Sequence, residues 1–297
     1  MNPRSMNRTF LLLVVLLAAF AVSAPAVDYT QLAAARRLRA DKRYDEAIQK
    51  LEGLAAKTDE AGENYGYLAL AMDIAVDSLK NADRALALAA LVKDPAYRDF
   101  ARLRVLADFE RHDEALASVR DKKIDEWPVR CRAHAHGILA GIYHAKKDAA
   151  AELAQWQLAA AAPGAEVGVR GRALREAGVL FQKQGDAAKA EEQFRLALAV
   201  TPSGYAWRTE SLIALSRLLL DQHRAKDAVK AFEGTDFTKV SSDNLKAGLL
   251  EAYARALLAA GKRIMAIETF DQILQLNISA ASKERLNQEL DRMAEEF

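Results

Sequence analysis

Three copies of the motif Ala-x-x-x-Phe recur at a fixed interval in the C-terminal half of this chain of 297 residues. They are Ala190 with Phe194, Ala228 with Phe232 and Ala266 with Phe270, each copy 38 residues after the previous one. On an amphipathic helix, a small residue allows close approach to one neighbour, and an aromatic ring one turn later fills the space beside it. The fixed interval therefore predicts an array of stacked helical repeats instead of a fold built around one central core.

The prolines mark where these helices end. After the N-terminal segment the chain contains Pro95, Pro128, Pro163 and Pro202, at intervals of 33, 35 and 39 residues. Proline lacks an amide donor and clashes with the preceding helical turn, so its regular placement indicates regular helix ends. Each interval accommodates two helices of about 12 to 15 residues with their turns. Strong helix formers dominate the sequence and alternating β-branched runs are rare, so we predict an all-α fold.

The clearest unit spans residues 169–202. Its first helix carries an apolar face with one glycine, Gly185-Asp186 forms the turn, and Pro202 ends the second helix. The residues of the two apolar faces are Leu174, Ala177, Gly178 and Phe181, followed by Ala190, Phe194 and Ala197. This pattern of large, small and aromatic positions resembles the tetratricopeptide repeat (TPR) at all eight of its characteristic positions.

The resemblance extends over most of the chain with varying fidelity. Two further good units span 204–235, where Ser216 replaces the glycine, and 242–278. The units around Ala85, Ala115 and Ala150 depart from the pattern, so helical pairs are expected there but their register is left open. The resemblance implies a right-handed α-α superhelix of about seven helical pairs over residues 27–278.

Residues 279–297 are predicted to form a final helix with one apolar stripe on a charged background. The stripe consists of Leu286, Leu290, Met293 and Phe297. Stacked repeats leave an apolar face exposed at each end, and a terminal helix with a polar outer side covers it. We predict a capping helix, and a dimer-forming helix is the alternative.

Residues 1–26 have the features of a secretory signal peptide. Arg4 and Arg8 precede an apolar run of 13 residues, 10–22, and Ala24-Pro25-Ala26 provides a cleavage site. A run of this length is shorter than the roughly 18 residues typical of a membrane span. We therefore expect an exported protein, most simply in a bacterial periplasm; an uncleaved N-terminal membrane anchor and a secreted protein are the alternatives.

The charge balance and the cysteine content exclude several classes of function. Removing residues 1–26 takes away Arg4 and Arg8 and no acidic residue, which changes 42 basic and 41 acidic residues to 40 and 41. A near-neutral chain lacks the concentrated basic surface that nucleic acid requires, so no nucleic-acid partner is expected. Cys131 is the only cysteine, so an internal disulfide is impossible and packing must stabilise the fold.

Catalytic and metal-binding motifs are absent from the sequence. It contains no Gly-x-Ser-x-Gly, no His-Glu-x-x-His and no paired Cys-x-x-Cys. The closest approach to a metal site is the group Cys131, His134, His136 and His144, but on one helix these residues point in different directions. We expect no metal, no cofactor and no enzymatic activity, and we assign Trp127, Trp156 and Trp207 to packing between repeats.

The family resemblance implies a partner-binding surface on the first helix of each pair. In tetratricopeptide arrays these helices line a concave groove that receives a peptide or a partner helix. Arginine recurs on this face in four units of the chain, at Arg36, Arg39, Arg172, Arg175, Arg217 and Arg255. Guanidinium groups form paired hydrogen bonds with carboxylates, so we predict binding of an acidic segment or a C-terminus of a protein partner. Ordinary surface arginines are the alternative, and the Lys and Asn arrangement with which some family members bind a C-terminal carboxylate is not reproduced.

The function predicted from the sequence is therefore a non-enzymatic protein-interaction scaffold or adaptor. An RNA-binding helical repeat protein is one alternative, since such arrays use repeats of about 35 residues. A non-catalytic superhelical part of a cell-envelope enzyme complex is another.

Overall fold

The computed structural model describes the backbone of residues 29–295 and the side chains of residues 30–292. All regular secondary structure within this range is helical, with no strand, which confirms the all-α prediction. The predicted signal peptide, residues 1–26, lies outside the described residues, as do Phe297 and the side chain of Met293.

The chain divides into two compact units, Met1–Ala101 and Arg102–Phe297, with the boundary inside one helix. The first five helices are α1 (Tyr29–Ala40), α2 (Tyr44–Lys57), α3 (Ala61–Asp73), α4 (Ala82–Ala90) and α5 (Pro95–Asp108), which contains the boundary. The next five are α6 (His112–Val119), α7 (Val129–Ala145), α8 (Ala149–Ala161), α9 (Val167–Lys183) and α10 (Ala187–Val200). The last five are α11 (Ala206–Asp221), α12 (Ala225–Lys230), α13 (Asp243–Ala259), α14 (Arg263–Leu274) and α15 (Ala280–Glu295). The fourteen helices from α1 to α14 form seven successive helix–turn–helix pairs, as predicted; the right-handed sense of the superhelix stays a prediction.

A turn with one residue in the left-handed conformation joins the two helices of each pair. In the last four pairs this residue lies at a constant spacing of 38, at Lys147, Gly185, His223 and Gly261. The amide of the residue that follows bonds back to the end of the first helix, for example Asp186 N to Phe181 O at 2.9 Å. This is the Schellman ending of a helix, which satisfies carbonyls that the helix leaves free. In the first three pairs the left-handed residues are Lys42, Lys80 and Glu110.

The turns define the register of the second helices. Five residues after the left-handed residue stands a buried small residue in six of the seven pairs, and nine residues after it stands another buried side chain. The small residues are Ala47, Ala85, Ala115, Ala190, Ala228 and Ala266. The side chains four residues later are Leu51, Ala89, Val119, Phe194, Phe232 and Phe270. The motif Ala-x-x-x-Phe is therefore the most regular form of a pattern present in these six pairs.

The fourth pair corrects the register suggested by Ala150. Ala150 is exposed, and the small-residue position is occupied by Glu152, which is buried, with Trp156 at the aromatic position. A buried carboxylate requires a polar partner, and His144 at the end of α7 supplies one, with Nδ1 3.1 Å from Oε2 of Glu152. The sequence pattern was obscured because an acidic residue stands where the repeat normally has alanine.

Close approach between the helices of a pair depends on a small residue in the first helix. At Gly178 an added Cβ atom would lie 2.6 Å from the Phe194 ring, so the ring packs directly on the backbone of α9. The corresponding residue in four other pairs is also buried and has a small side chain. These residues are Ala35, Ala140, Ser216 and Ala254.

The sixth pair differs from the expected geometry in its second helix. Helix α12 ends at Lys230, so Phe232 lies beyond it in a turn that continues to Gly234. Phe232 is nevertheless buried and packs against Tyr253 of α13, with ring centroids 4.9 Å apart. Gly234 has φ +73°, a conformation that a non-glycine residue adopts at a cost, and it directs the chain away from the helical path.

Helix α15 covers the end of the array. Leu286 is 1% exposed and packs with Leu250 and Phe270 of the last pair. Ser242 caps the start of α13, and Ser279 caps the start of α15. When the two helices are aligned on these serines, the exposed Asn287 of α15 corresponds to the buried Leu250 of α13. One side of α15 is thus apolar and buried while its outer side is polar, as predicted for a cap.

We predict that Phe194→Ala lowers the free energy of unfolding by about 3–5 kcal/mol, because it leaves a cavity in a site that is fully closed to solvent. Leu196→Ala on the same helix is the control, since Leu196 is 42% exposed and its loss should cost little. Urea unfolding followed by circular dichroism measures both. Equal losses for the two variants would contradict the packing described here.

Candidate functional site

A surface pocket of about 400 Å³ lies between α9 and α11 in the second compact unit. The residues around it come from the first helices of the fifth and sixth pairs. They are Arg175, Val179 and Gln182 from α9, with Glu210, Ile213, Ala214 and Arg217 from α11. Residues three, four and seven apart share one face of a helix, so each helix presents a continuous row to the pocket. Two of the predicted site arginines, Arg175 and Arg217, thus line one pocket.

Arg175 is held by carboxylates of the chain itself. Its Nη1 lies 2.7 Å from Oε1 of Glu176, and its Nη2 lies 3.3 Å from Oε2 of Glu210 on the neighbouring helix. The three side chains are about one-quarter exposed, which reduces screening of the ion pairs by solvent. Arg175 therefore links α9 to α11 and fixes one end of the pocket.

Arg217 lies at the other end of the pocket and differs from Arg175 in its surroundings. It is exposed, and no ion pair or hydrogen bond joins it to any of the side chains that the structure describes. Between the two arginines the wall is apolar and consists of Val179, Ile213 and Ala214. The pocket combines an available guanidinium group with an apolar wall, which suits a segment carrying a carboxylate beside an apolar side chain.

Arg172 has a packing role. Its guanidinium carbon lies 5.2 Å from the ring centroid of Trp156 and 5.3 Å from that of Trp207. A cation within about 6 Å of an indole face is attracted by the ring quadrupole. The stack joins α8, α9 and α11, so the prediction that the tryptophans pack between repeats is met for Trp156 and Trp207.

Arg255 belongs to a cluster of four charges that holds the C-terminal helix. Arg255 Nη2 lies 2.9 Å from Oε1 of Glu251 and 3.3 Å from Oε2 of Glu289 on α15. Arg285 of α15 lies 2.9 Å from Oε2 of Glu251. Burial acts to raise the pKa of Glu251, but hydrogen bonds from Arg285 and Arg255 outweigh it and hold the pKa below its ordinary value. In the last pair, the predicted site residue Arg255 thus remains exposed but is paired with two carboxylates of the chain, one of them on α15.

Arg36 and Arg39 line a separate pocket in the first compact unit. Its volume is about 210 Å³, and its remaining walls are apolar. Arg39 Nη2 lies 3.3 Å from Oδ2 of Asp77, whereas Arg36 is exposed and without a described partner. The six predicted arginines therefore fall into two pockets, one aromatic stack and one ion-pair cluster.

The carboxylates that engage these arginines were not anticipated from the sequence. Glu210 and Arg217 stand seven residues apart on one face of α11, but the pairing of Glu210 with Arg175 depends on how α9 and α11 pack. One signal was available: Glu210 stands 38 residues after Arg172, so opposite charges occupy the same repeat position on neighbouring helices. Glu289 gave no comparable signal, because α15 lies outside the repeat pattern.

The histidines and the cysteine of the fourth pair serve separate contacts. Cys131 and His136 are buried, and His136 Nδ1 lies 2.8 Å from Oε1 of Gln155. His134 is exposed near Glu166, and His144 pairs with Glu152. Over residues 30–292 no group of three or more His, Cys, Asp or Glu side chains is placed to hold a metal ion. No helix in the described part of the chain is both long and apolar enough to cross a bilayer.

The seven helical pairs and their repeating turn define the fold. It is tetratricopeptide-like. No protein-family model matches the sequence, and no curated protein matches it.

Solved structures of helical repeat proteins resemble the chain at low sequence identity. A kinesin light chain with TPR-like repeats from Podosopora anserina is 18% identical with a TM-score of 0.44, covering 61% of this chain and 95% of that one. A tetratricopeptide repeat protein from Parabacteroides merdae is 14% identical with a TM-score of 0.44, covering 88% and 98%. BtubC from P. vanneervenii is 13% identical with a TM-score of 0.46, covering 79% and 93%.

We predict that Glu251→Gln lowers the melting temperature at pH 7 and that the difference from the unchanged protein narrows toward pH 3. Because the folded pKa is depressed, the contribution of Glu251 is complete above about pH 4.3, the ordinary glutamate value, and is lost as the pH falls through the folded pKa. Thermal unfolding by circular dichroism at several pH values measures this. Glu268→Gln, an exposed residue on α14, is the control. A difference that stays constant with pH would contradict the role of the charge.

Proposed function

We propose that this protein is a non-enzymatic scaffold that holds a segment of a partner protein in the pocket between α9 and α11. The observation that supports this is the position of Arg217, an exposed guanidinium group beside an apolar wall formed by Val179 and Ile213. A volume of about 400 Å³ is within the range of roughly 300 to 1,000 Å³ typical of ligand pockets. A pocket of this volume is large enough for a short peptide segment.

The chemistry of the pocket favours an acidic residue next to an apolar one in the bound segment. A carboxylate of the partner would accept hydrogen bonds from Arg217, and the neighbouring apolar side chain would cover Val179 and Ile213. Arg175 is already paired with Glu210, so it orients the pocket and leaves the binding charge to Arg217. Glu210 would repel a second carboxylate at that end, which gives the bound segment a direction.

We further propose that the protein is exported, most simply to a bacterial periplasm. The support is the sequence of residues 1–26, with its two arginines, its apolar run and its Ala-x-Ala site. Cell fractionation of the source organism, with determination of the mature N-terminus, tests this. We expect the protein in the envelope fraction with a mature chain that begins at Val27. A cytosolic protein that retains residues 1–26 would refute export.

We predict that Arg217→Glu weakens partner binding at least tenfold, because a charge-assisted hydrogen bond is replaced by repulsion. The partner is first identified with a photo-crosslinking amino acid placed at Gln182, which lines the pocket, in cells of the source organism. Its binding to the purified scaffold is then measured by calorimetry.

Arg170→Glu is the matched control. Arg170 lies on the same helix as Val179 but nine residues before it, which is roughly two and a half turns and therefore the opposite side of α9. This variant changes the net charge equally and should bind normally. If both variants bind as the unchanged protein does, or both lose binding to the same extent, the pocket between α9 and α11 is not the binding site.

A further inference from the structure

A second pocket, of different chemistry, lies among α1, α2 and α3 in the first compact unit. Its volume is about 210 Å³. The apolar walls come from all three helices, and two arginines of α1 stand at its polar side. The lining residues are Leu32, Ala35, Arg36, Arg39, Leu51, Leu70 and Ile74. An apolar body with one anionic group is the chemistry that such a combination of side chains would hold.

The apolar walls of the pocket are formed partly by core residues. Ala35, Leu51 and Ile74 are each 2% exposed, so their side chains contribute to the core as well as to the pocket. Ala35 is the small residue that α1 contributes to the repeat pattern and also lines the pocket, so a larger side chain at this position would take up part of the space. An apolar ligand would gain stabilisation from these walls because it would be removed from water.

The two arginines are able to bind an anion without disrupting the fold. Arg36 is exposed and has no hydrogen-bond or ion-pair partner among the described residues. Arg39 pairs with Asp77 at 3.3 Å, but its side chain is 39% exposed and that of Asp77 is 62% exposed. Exposed ion pairs contribute little to stability, so a competing carboxylate could take the place of Asp77 at small cost.

The size of the pocket limits its ligand. Cavities of about 150 Å³ lined by Leu, Ile and Phe are known to bind benzene, so 210 Å³ corresponds to a chain or ring of about eight carbons. Cofactors and drug-sized molecules occupy pockets of roughly 300 Å³ or more and are too large.

We propose that this pocket binds a small aliphatic carboxylate, with its carbon chain against Leu51, Leu70 and Ile74 and its carboxylate on Arg36 and Arg39. This site is independent of the pocket between α9 and α11, and it would give the protein a small-molecule ligand in addition to a protein partner. The walls supply affinity in proportion to the length of the chain, and the arginines select the charge of the head group.

Calorimetric titration of the full-length chain with straight-chain carboxylates tests the proposal. From pentanoate to octanoate, each added methylene should tighten binding about fourfold, which corresponds to the transfer energy of one buried CH₂. Longer chains should bring no further gain once the pocket is full. Octylammonium and 1-octanol, which have the same body without the negative charge, should bind at least tenfold more weakly than octanoate.

Three variants separate the charge from the cavity. Arg36→Gln should weaken octanoate binding at least tenfold and leave the binding of 1-octanol unchanged. Arg37→Gln is the matched control, because Arg37 is the exposed neighbour of Arg36 and does not line the pocket. Ala35→Leu should fill the space and abolish binding, and circular dichroism establishes whether this variant is folded.

Four results would overturn the proposal. Octanoate that binds no better than octylammonium would show that the arginines do not select the ligand. Octanoate binding that survives in folded Ala35→Leu, or is lost equally in Arg36→Gln and Arg37→Gln, would place the ligand elsewhere. An acetylated peptide ending in Leu that binds while octanoate does not would assign the pocket to a protein terminus instead.

Discussion

Five of the seven pairs depend on the same combination: a buried small residue in the first helix and a buried bulky side chain in the second half of the pair. The clearest case is Phe194 on Gly178, where no Cβ atom could be accommodated without displacing the ring. The contact fixes the distance between the two helices, and the left-handed residue of the turn fixes their direction. With distance and direction set in this way, each pair exposes the same kind of apolar flank to its neighbours. Stacking buries that flank, and α15 with its polar outer side ends the process.

The face presented by the first helices is not uniform, because the charges on it are largely used within the chain. Arg175 is paired with Glu210, and Arg255 is paired with Glu251 and Glu289. These pairs connect successive helices and reduce the number of arginines that remain available to a ligand. Arg217 in one compact unit and Arg36 in the other remain accessible, each beside apolar walls. The accessible charges therefore differ from pair to pair, although the pairs share one backbone plan.

The sequence predicted the helical pairs and the C-terminal cap, because these follow from local periodicity. It did not predict the place of Glu152 and Trp156 in the repeat, since an acidic residue at a small-residue position has no precedent in the motif itself. The burial of Glu152 becomes understandable only with His144, which the fold brings within 3.1 Å. In the same way, the pairing of Arg255 with Glu289 joins residues 34 positions apart, and only the packing of α15 determines it. Local patterns thus determined the elements, while contacts between elements determined which charges are available.

The stack of Trp156, Arg172 and Trp207 gives the molecule an intrinsic optical reporter. Two of the protein's three tryptophans, Trp156 and Trp207, lie on helices from different pairs. The guanidinium carbon of Arg172 lies 5.2 Å from the ring centroid of Trp156 and 5.3 Å from that of Trp207. Indole emission is sensitive to such a neighbour, so any change in the spacing of α8, α9 and α11 will alter the fluorescence of the unlabelled protein. The pocket beside Arg175 lies between α9 and α11, two of the three helices that the stack joins. A change in the spacing of these two helices at the pocket would therefore be detected as a change in tryptophan fluorescence.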